Sequence, residues 1–133
     1  MNDHLTKIAQ TCLDGAENNT MTFPDIVGTL MQAGFESYVI DYRRSMATYF
    51  MPDGDSVVLP TQHGNSPIAA TLDTSAVRSA IKEAQQLAPG YTYAGFCGKV
   101  MAAGCAGYIV SFTGRRAVYF GRDAEIHVER FPQ

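Results

Sequence analysis

The stretch Met31-Gln32-Ala33-Gly34-Phe35-Glu36-Ser37-Tyr38-Val39-Ile40 occurs in a second version, Met101-Ala102-Ala103-Gly104-Cys105-Ala106-Gly107-Tyr108-Ile109-Val110, at an offset of 70 residues. The alignment runs without a gap over residues 22–58 and 92–128, and 11 of the 40 positions from residue 21 to 60 are identical to their counterparts. Self-similarity at a fixed offset is typical of a duplicated supersecondary unit. The sequence therefore predicts two related halves, and it leaves the function open.

Composition narrows the class of protein. With 133 residues, 46% hydrophobic and 17% charged, the chain is expected to fold as one globular domain. A net charge of −3 lacks the basic excess that a nucleic-acid partner requires. We expect no membrane partner either, because no apolar run approaches about 20 residues. Three cysteines without a Cys-x-x-Cys pair, and no secretory signal, favour a cytoplasmic location.

Hydrophobic spacing predicts the elements of the first half. Apolar residues three and four apart predict a helix over 3–16 with Asp3 as its N-cap. A second helix is expected to start at Thr22, with Asp25 in its first turn, and to end at Gly34. The period then changes to two, which predicts strands over 38–43, 47–51 and 56–59.

The second half repeats this order after an irregular joint over 60–72. Helices are expected between Asp73 and Pro89 and from Tyr93 to Gly104, and strands over 107–112, 116–120 and 124–129. The predicted fold is a single α+β domain, 1–133, of two tandem helix-helix-strand-strand-strand repeats, 3–59 and 73–131. Antiparallel strands packed by helices and a pseudo-twofold axis between the halves complete this prediction.

Three segments carry a resemblance to a known family. They are Met101–Tyr108, Thr113-Gly114-Arg115 and His127-Val128-Glu129-Arg130-Phe131-Pro132. They resemble uncharacterised bacterial and prophage proteins of the YdfO/YbcV type, some of which carry the label "phage envelope protein". The resemblance spans about residues 21–132. It implies a small α+β domain of unknown function and supplies no catalytic residues.

Cysteines and tyrosines in the repeat are interpreted as core residues. Cys97 aligns with Val27 and Cys105 with Phe35, so both thiols occupy positions that the other half fills with apolar side chains. Paired aromatics, such as Tyr38 with Tyr108, are typical of a sheet core. They could also line a cleft between the halves.

Histidine and acidic residues offer little chemistry by their spacing. His127 and Glu129 are two residues apart on a predicted strand, so both should point to one face, either as an oriented pair or as a solvated surface. No histidine or cysteine shows ligand spacing, and no calcium-loop or nucleophile motif is present, so we predict no metal, no cofactor and no catalytic residue.

Arginines form the best candidate ligand site. Arg43-Arg44 and Arg115-Arg116 occupy the same predicted hairpin turn in the two halves. If the pseudo-axis brings the turns together, they form an anion site for phosphate or carboxylate; if not, they are two solvated turns. The speculative ligand-binding residues are therefore Arg44, Arg115, Arg116 and His127.

Three functions remain open. The first is a non-enzymatic cytosolic domain that binds a partner or small ligand and is of prophage origin. The second is an anion-binding protein or enzyme that uses the turn arginines. The third is a homo-oligomeric structural protein, such as a homodimer, because Val57 and Leu59 are apolar where the other half has His127 and Glu129.

Overall fold

A computed structural model describes residues 1–62 and 66–132; residues 63–65 of the predicted joint lie outside the described part. The described chain forms four helices and six strands in the order helix, helix, strand, strand, strand, twice over. The elements are α1 Asp3–Glu17, α2 Phe23–Gln32, β1 Ser37–Asp41, β2 Met46–Phe50, β3 Ser56–Pro60, α3 Thr74–Gln86, α4 Tyr93–Ala102, β4 Cys105–Ser111, β5 Arg116–Gly121 and β6 Ile126–Arg130. The α+β single domain expected from the sequence is confirmed.

Side-chain caps set the helix starts. Thr22 Oγ1 accepts from the amide of Asp25, and the Asp25 carboxylate accepts from the amide of Thr22, so both free donors are satisfied in a capping box. At α1 the cap is Asn2, one residue before the predicted Asp3, because its side chain accepts from the Leu5 amide. Gly34 ends α2 with φ +99°, as expected.

The strands form one antiparallel sheet in the order β3-β2-β1-β4-β5-β6. The two central strands come from different parts of the chain, and their register pairs Tyr38 with Val110, Val39 with Ile109 and Ile40 with Tyr108. Both hairpins have similar offsets, since Tyr38 pairs with Tyr49 and Tyr108 with Tyr119. β3 and β6 are consequently the two edges.

The core lies between the helices and one face of the sheet. Tyr38, Tyr49, Tyr108 and Tyr119 project from this face, and each is at least 93% buried. All four helices contribute buried side chains to the same cluster. Edge-to-face contacts tie the layers together, for example between Phe96 of α4 and Tyr119 of β5. The sheet therefore has one face covered by helices.

Candidate functional site: the uncovered face of the sheet

The opposite face of the sheet receives none of the helix packing seen in the core cluster. Antiparallel partners share a face, so the register shows which side chains lie on it. We call this surface the uncovered face; its residues are Ser56, Val58, Pro60, Met46, Thr48, Phe50, Ser37, Val39, Asp41, Gly107, Ile109, Ser111, Arg116, Val118, Phe120, Ile126, Val128 and Arg130.

A row of β-branched residues crosses the middle of the uncovered face. From one edge to the other it runs Val58, Thr48, Val39, Ile109, Val118, Val128, one residue from each strand. Such residues pack well on a pleated surface and favour the extended backbone. Outward positions of a one-sided sheet are normally polar, so this row is not what solvation alone would select.

Exposure distinguishes this surface from the rest of the molecule. Among the described residues, eight large apolar side chains are exposed, and five of them lie on the uncovered face: Met46, Val58, Ile109, Ile126 and Val128. They are between 38% and 51% exposed. Contiguous apolar surface of this kind marks contact sites.

Phe120 fills a gap on the uncovered face. A Cβ at Gly107 would lie 2.8 Å from Phe120 Cζ, so the ring lies over the glycine on the neighbouring strand. A β-bulge between Cys105 and Gly107 accompanies this contact. The ring closes the depression that Gly107 would otherwise leave, which keeps the surface even.

Positive charge on the uncovered face is concentrated at one corner. Arg116 and Arg130 are direct cross-strand partners, and the row continues through Ser111 to Ser37. The Arg116 Nε–H donates to the Gly114 carbonyl over 3.1 Å, which orients its guanidinium. Like charges directly opposite each other destabilise a sheet. A bound anion would relieve this repulsion.

The two arginine turns lie at opposite ends of the sheet. β1 and β4 are antiparallel and pair Asp41 with Gly107 and Ser37 with Ser111. The turn containing Arg44 follows Asp41, whereas the turn containing Arg115 follows Ser111. A strand of about 13 Å or more therefore separates them, and the register does not bring both turns into one site.

At the Arg115 end, the structure adds a residue that sequence reasoning missed. Arg130 joins Arg116 through strand pairing, and the Phe131 amide donates to the Arg115 carbonyl. Arg130 belongs to the segment His127–Pro132, one of the three that carry the family resemblance. Arg44 lies apart, with its amide bonded to Asp41 Oδ1 over 3.1 Å.

His127 and Glu129 share one face, as predicted, and their Nε2 and Oε1 atoms are 3.1 Å apart. That face is the helix-covered one, since His127 pairs with Tyr119. The His127 side chain is 11% exposed and that of Glu129 is 30% exposed, so the pair is oriented and partly buried rather than fully solvated. His127 therefore lies on the other side of the sheet from Arg116.

Val57 and Leu59 also face the helices, where they pair with Tyr49 and Ala47. Leu59 is 7% exposed and belongs to the core. The prediction that these two residues leave an exposed face for self-association is wrong, because the exposed apolar residue of this strand is Val58, which has the opposite orientation. The alternative, an exposed strand edge, stays a prediction, since β3 is one of the two edges of the sheet.

Buried thiols and hydroxyls do not form a reactive site. Cys12, Cys97 and Cys105 are at most 1% exposed, as expected for core cysteines. Burial raises the pKa of the Cys97 thiol and of the Cys105 thiol to about 11. Because of these raised pKa values, thiolate, the nucleophilic form, is scarce at neutral pH. The Tyr93 and Tyr108 hydroxyls hydrogen-bond to each other, with their oxygens 2.9 Å apart.

A groove between two helices is a weaker candidate for a functional site. A groove of about 390 Å³ beside α3 and α4 is lined by Ala69, Thr71, Asp73, Ala76, Lys99, Ala102 and Ala103. Lys99 Nζ already pairs with Glu83 over 2.7 Å.

In residues 1–62 and 66–132 no group of three His, Cys, Asp or Glu side chains could hold a metal ion. No helix there is both long and apolar enough to span a bilayer.

The fold and the site define a small α+β domain with a one-sided sheet and an exposed apolar face. The chain belongs to the family described as protein of unknown function (DUF1398), whose model matches residues 10–130. No curated protein matches the chain.

Proposed function

We propose that this chain is a non-enzymatic cytosolic interaction domain that makes its contact through the uncovered face. The observation that carries the proposal is the β-branched row across six strands, in which Val58, Ile109 and Val128 are exposed and the other three residues are partly exposed. Helices already bury the other face, so folding does not require this one to be apolar. Contact with another molecule supplies the missing reason.

The proposal includes a duplicated origin for the sheet. The α2 and α4 boundaries differ by 70 residues at both ends, and so do the left-handed turn residues Ser45 and Arg115, with φ 55° and 52°. Val39 and Ile109, which are repeat counterparts, pair with each other at the centre. A pseudo-twofold axis between Val39 and Ile109 accounts for the register of the strands, because exchanging the two halves leaves the pairing of residues between strands unchanged.

A prophage relationship of the YdfO/YbcV type is also part of the proposal. It is supported by the three segments that carry the resemblance. This relationship adds no activity to the proposed contact.

Photo-crosslinking in cells tests the proposed function. A photoreactive amino acid at Ile109, 40% exposed at the centre of the row, should crosslink to a contacting protein. The same amino acid at Ser79, on the exposed side of α3, is the matched control and should yield little product. Absence of a product at Ile109 beyond the Ser79 background would contradict the proposal. Turnover in a broad substrate panel would overturn its non-enzymatic part.

Anion binding is a second candidate, favoured by the cross-strand pair Arg116 and Arg130. With Arg115 in the adjacent turn, these side chains place three guanidinium groups near one corner of the sheet. Arginine suits planar carboxylate and phosphate groups because it donates two parallel hydrogen bonds. Arg44 and His127 are located elsewhere and are not part of this corner.

Titration with inorganic phosphate and with citrate tests the second candidate. Wild-type protein should show saturable amide shifts around Ser111 and Arg116 in NMR spectra, and the double variant Arg116→Ala/Arg130→Ala should lose them. Arg43→Ala/Arg44→Ala, at the opposite end, is the control and should bind like wild type. Equal responses in the two variants would remove this candidate.

A further inference from the structure

We infer that the occupant of the uncovered face is a second copy of this chain, which forms a homodimer by packing sheet against sheet. This inference rests on the proposed function and specifies its partner. Two antiparallel sheets that pack face to face interdigitate their inner side chains at a separation of about 10 Å. The result is a four-layer dimer with helices on both outer sides.

The area of the face is adequate for a stable dimer. Six strands spaced about 4.8 Å apart and about 17 Å long cover on the order of 400–500 Å² in flat projection. Two such faces therefore amount to about 900 Å² in flat projection. The accessible area is larger because the side chains stand out from the sheet, which brings it to the roughly 1,000 Å² at the lower end of specific interfaces. A single apolar helix or peptide would leave much of this width uncovered.

The composition of the face fits a homodimer interface. Its centre is β-branched and uncharged, and its charged residues, Asp41, Arg116 and Arg130, are in the outer rows. Interfaces between identical subunits are likewise apolar at the centre and polar at the rim. An apolar, uncharged centre does not suit a nucleic acid or another highly charged partner.

When two copies are placed face to face, no charged residue lies opposite a residue of the same charge. A twofold axis along the strands places β5 and β6 of one copy over β2 and β3 of the other. Arg116 then lies opposite Phe50 of the second copy, where a guanidinium can stack on the ring. Arg130 lies opposite Ser56, and Asp41 opposite Gly107. Arg116 thus acquires an aromatic partner, and the arginines of the two copies do not meet.

Sedimentation equilibrium on purified protein tests this inference. The wild-type mass should rise with concentration from 14.5 kDa to twice that value. Ile109→Lys places a charge at the centre of the face and should weaken the dimer at least about tenfold, because an unpaired charge would have to be buried. Ser79→Lys adds the same charge to an exposed helix position and should dimerise like wild type.

A second variant guards against misfolding of Ile109→Lys, which circular dichroism would reveal. Val58→Lys/Val128→Lys changes two edge-strand positions that are 51% and 38% exposed, where lysine is well tolerated. It should also weaken the dimer.

Two outcomes would overturn the inference. One is a wild-type chain that stays at 14.5 kDa at the highest concentration; the other is a dimer that survives the face variants, which would indicate pairing of the edges β3 or β6. If the purified chain is a monomer while Ile109 still crosslinks to a different protein in cells, the homodimer fails and the proposed function stands. If it is a monomer and Ile109 gives no crosslink, both fail.

Discussion

Cys97 shows how a potentially reactive residue becomes structural. Its side chain is 0% exposed. Burial raises the pKa of the thiol to about 11 and outweighs the Tyr42 and Tyr93 hydroxyls, which act to lower that pKa. At neutral pH the thiolate fraction is therefore on the order of 10⁻⁴. The alignment with Val27, an apolar residue, predicted a packed position for Cys97, although Val27 itself is only partly buried.

Thiol labelling follows from this burial. In native protein at neutral pH, Cys12, Cys97 and Cys105 should react with iodoacetamide far more slowly than free cysteine, since they are both inaccessible and protonated. In guanidinium chloride all three should react at the rate of a model peptide, as mass spectrometry would show. Rapid modification of any one cysteine in the folded protein would contradict the core assignment.

The pH dependence of stability has the same origin. The folded-state pKa values of Cys97 and Cys105 lie above the ordinary value of 9.0, so the folded chain keeps protons that the unfolded chain releases. Their contribution is fully present below pH 9 and is lost as the pH rises toward about 11. Urea midpoints should fall across that window. A midpoint that stays constant to pH 11 would show that these thiols ionise without cost in the folded protein.

At the scale of elements, the two helix-to-strand corners are alike in backbone and different in packing. Gly34 and Gly104 both have left-handed φ angles, +99° and +95°. A Cβ at Gly34 meets only Met51 Cε at 3.4 Å, whereas a Cβ at Gly104 overlaps the Thr71 carbonyl. The difference arises because the joint lies against the second corner, where the Asp73 amide donates to the Ala103 carbonyl over 2.7 Å.

Alanine substitutions at the two corners should therefore differ. Gly34→Ala should lower the free energy of unfolding by about 1–2 kcal/mol, the cost of a left-handed residue with a Cβ. Gly104→Ala should lower it by about 1–3 kcal/mol more, because backbone must also move to make room. Urea denaturation of both variants measures the difference. Equal losses would show that the joint does not press on Gly104.

Element types were predictable because each depends on local sequence. Thr22 and Asp25 specify the start of α2, and apolar alternation identifies the strands. Boundaries failed where turn geometry matters: β6 begins at Ile126 rather than at residue 124, because Ala124 has φ +64° and belongs to the preceding turn. Local pattern does not reveal this, since alanine rarely adopts that conformation.

The candidate site was less predictable because it depends on register. Val39 and Ile109 were visible as apolar residues on the polar side of the alternation, but only strand pairing joins them to Val118 and Val128 in one row. Pairing also separates the two arginine turns and places Arg130 beside Arg116. Contacts between distant strands are not encoded in short spacings, so the sequence predicted the components and not their arrangement.

At the scale of the whole molecule, the two faces of the sheet have different environments. All four helices pack on one side, where the tyrosines lie, and the other side carries the β-branched row, of which Val58, Ile109 and Val128 are exposed. Solvation alone does not account for apolar residues on this side of the sheet. The central claim is that a second copy of the chain covers the uncovered face.

Methionine oxidation tests this claim most directly, because the chain contains a matched pair. Met46 lies on the uncovered face and is 39% exposed; Met31 lies on α2 and is 48% exposed. Peroxide oxidises accessible methionine to the sulfoxide, which peptide mass spectrometry quantifies. In concentrated native protein Met46 should oxidise several-fold more slowly than Met31, and dilution or Ile109→Lys should bring the two rates together. Similar rates for Met46 and Met31 at every concentration would contradict the account.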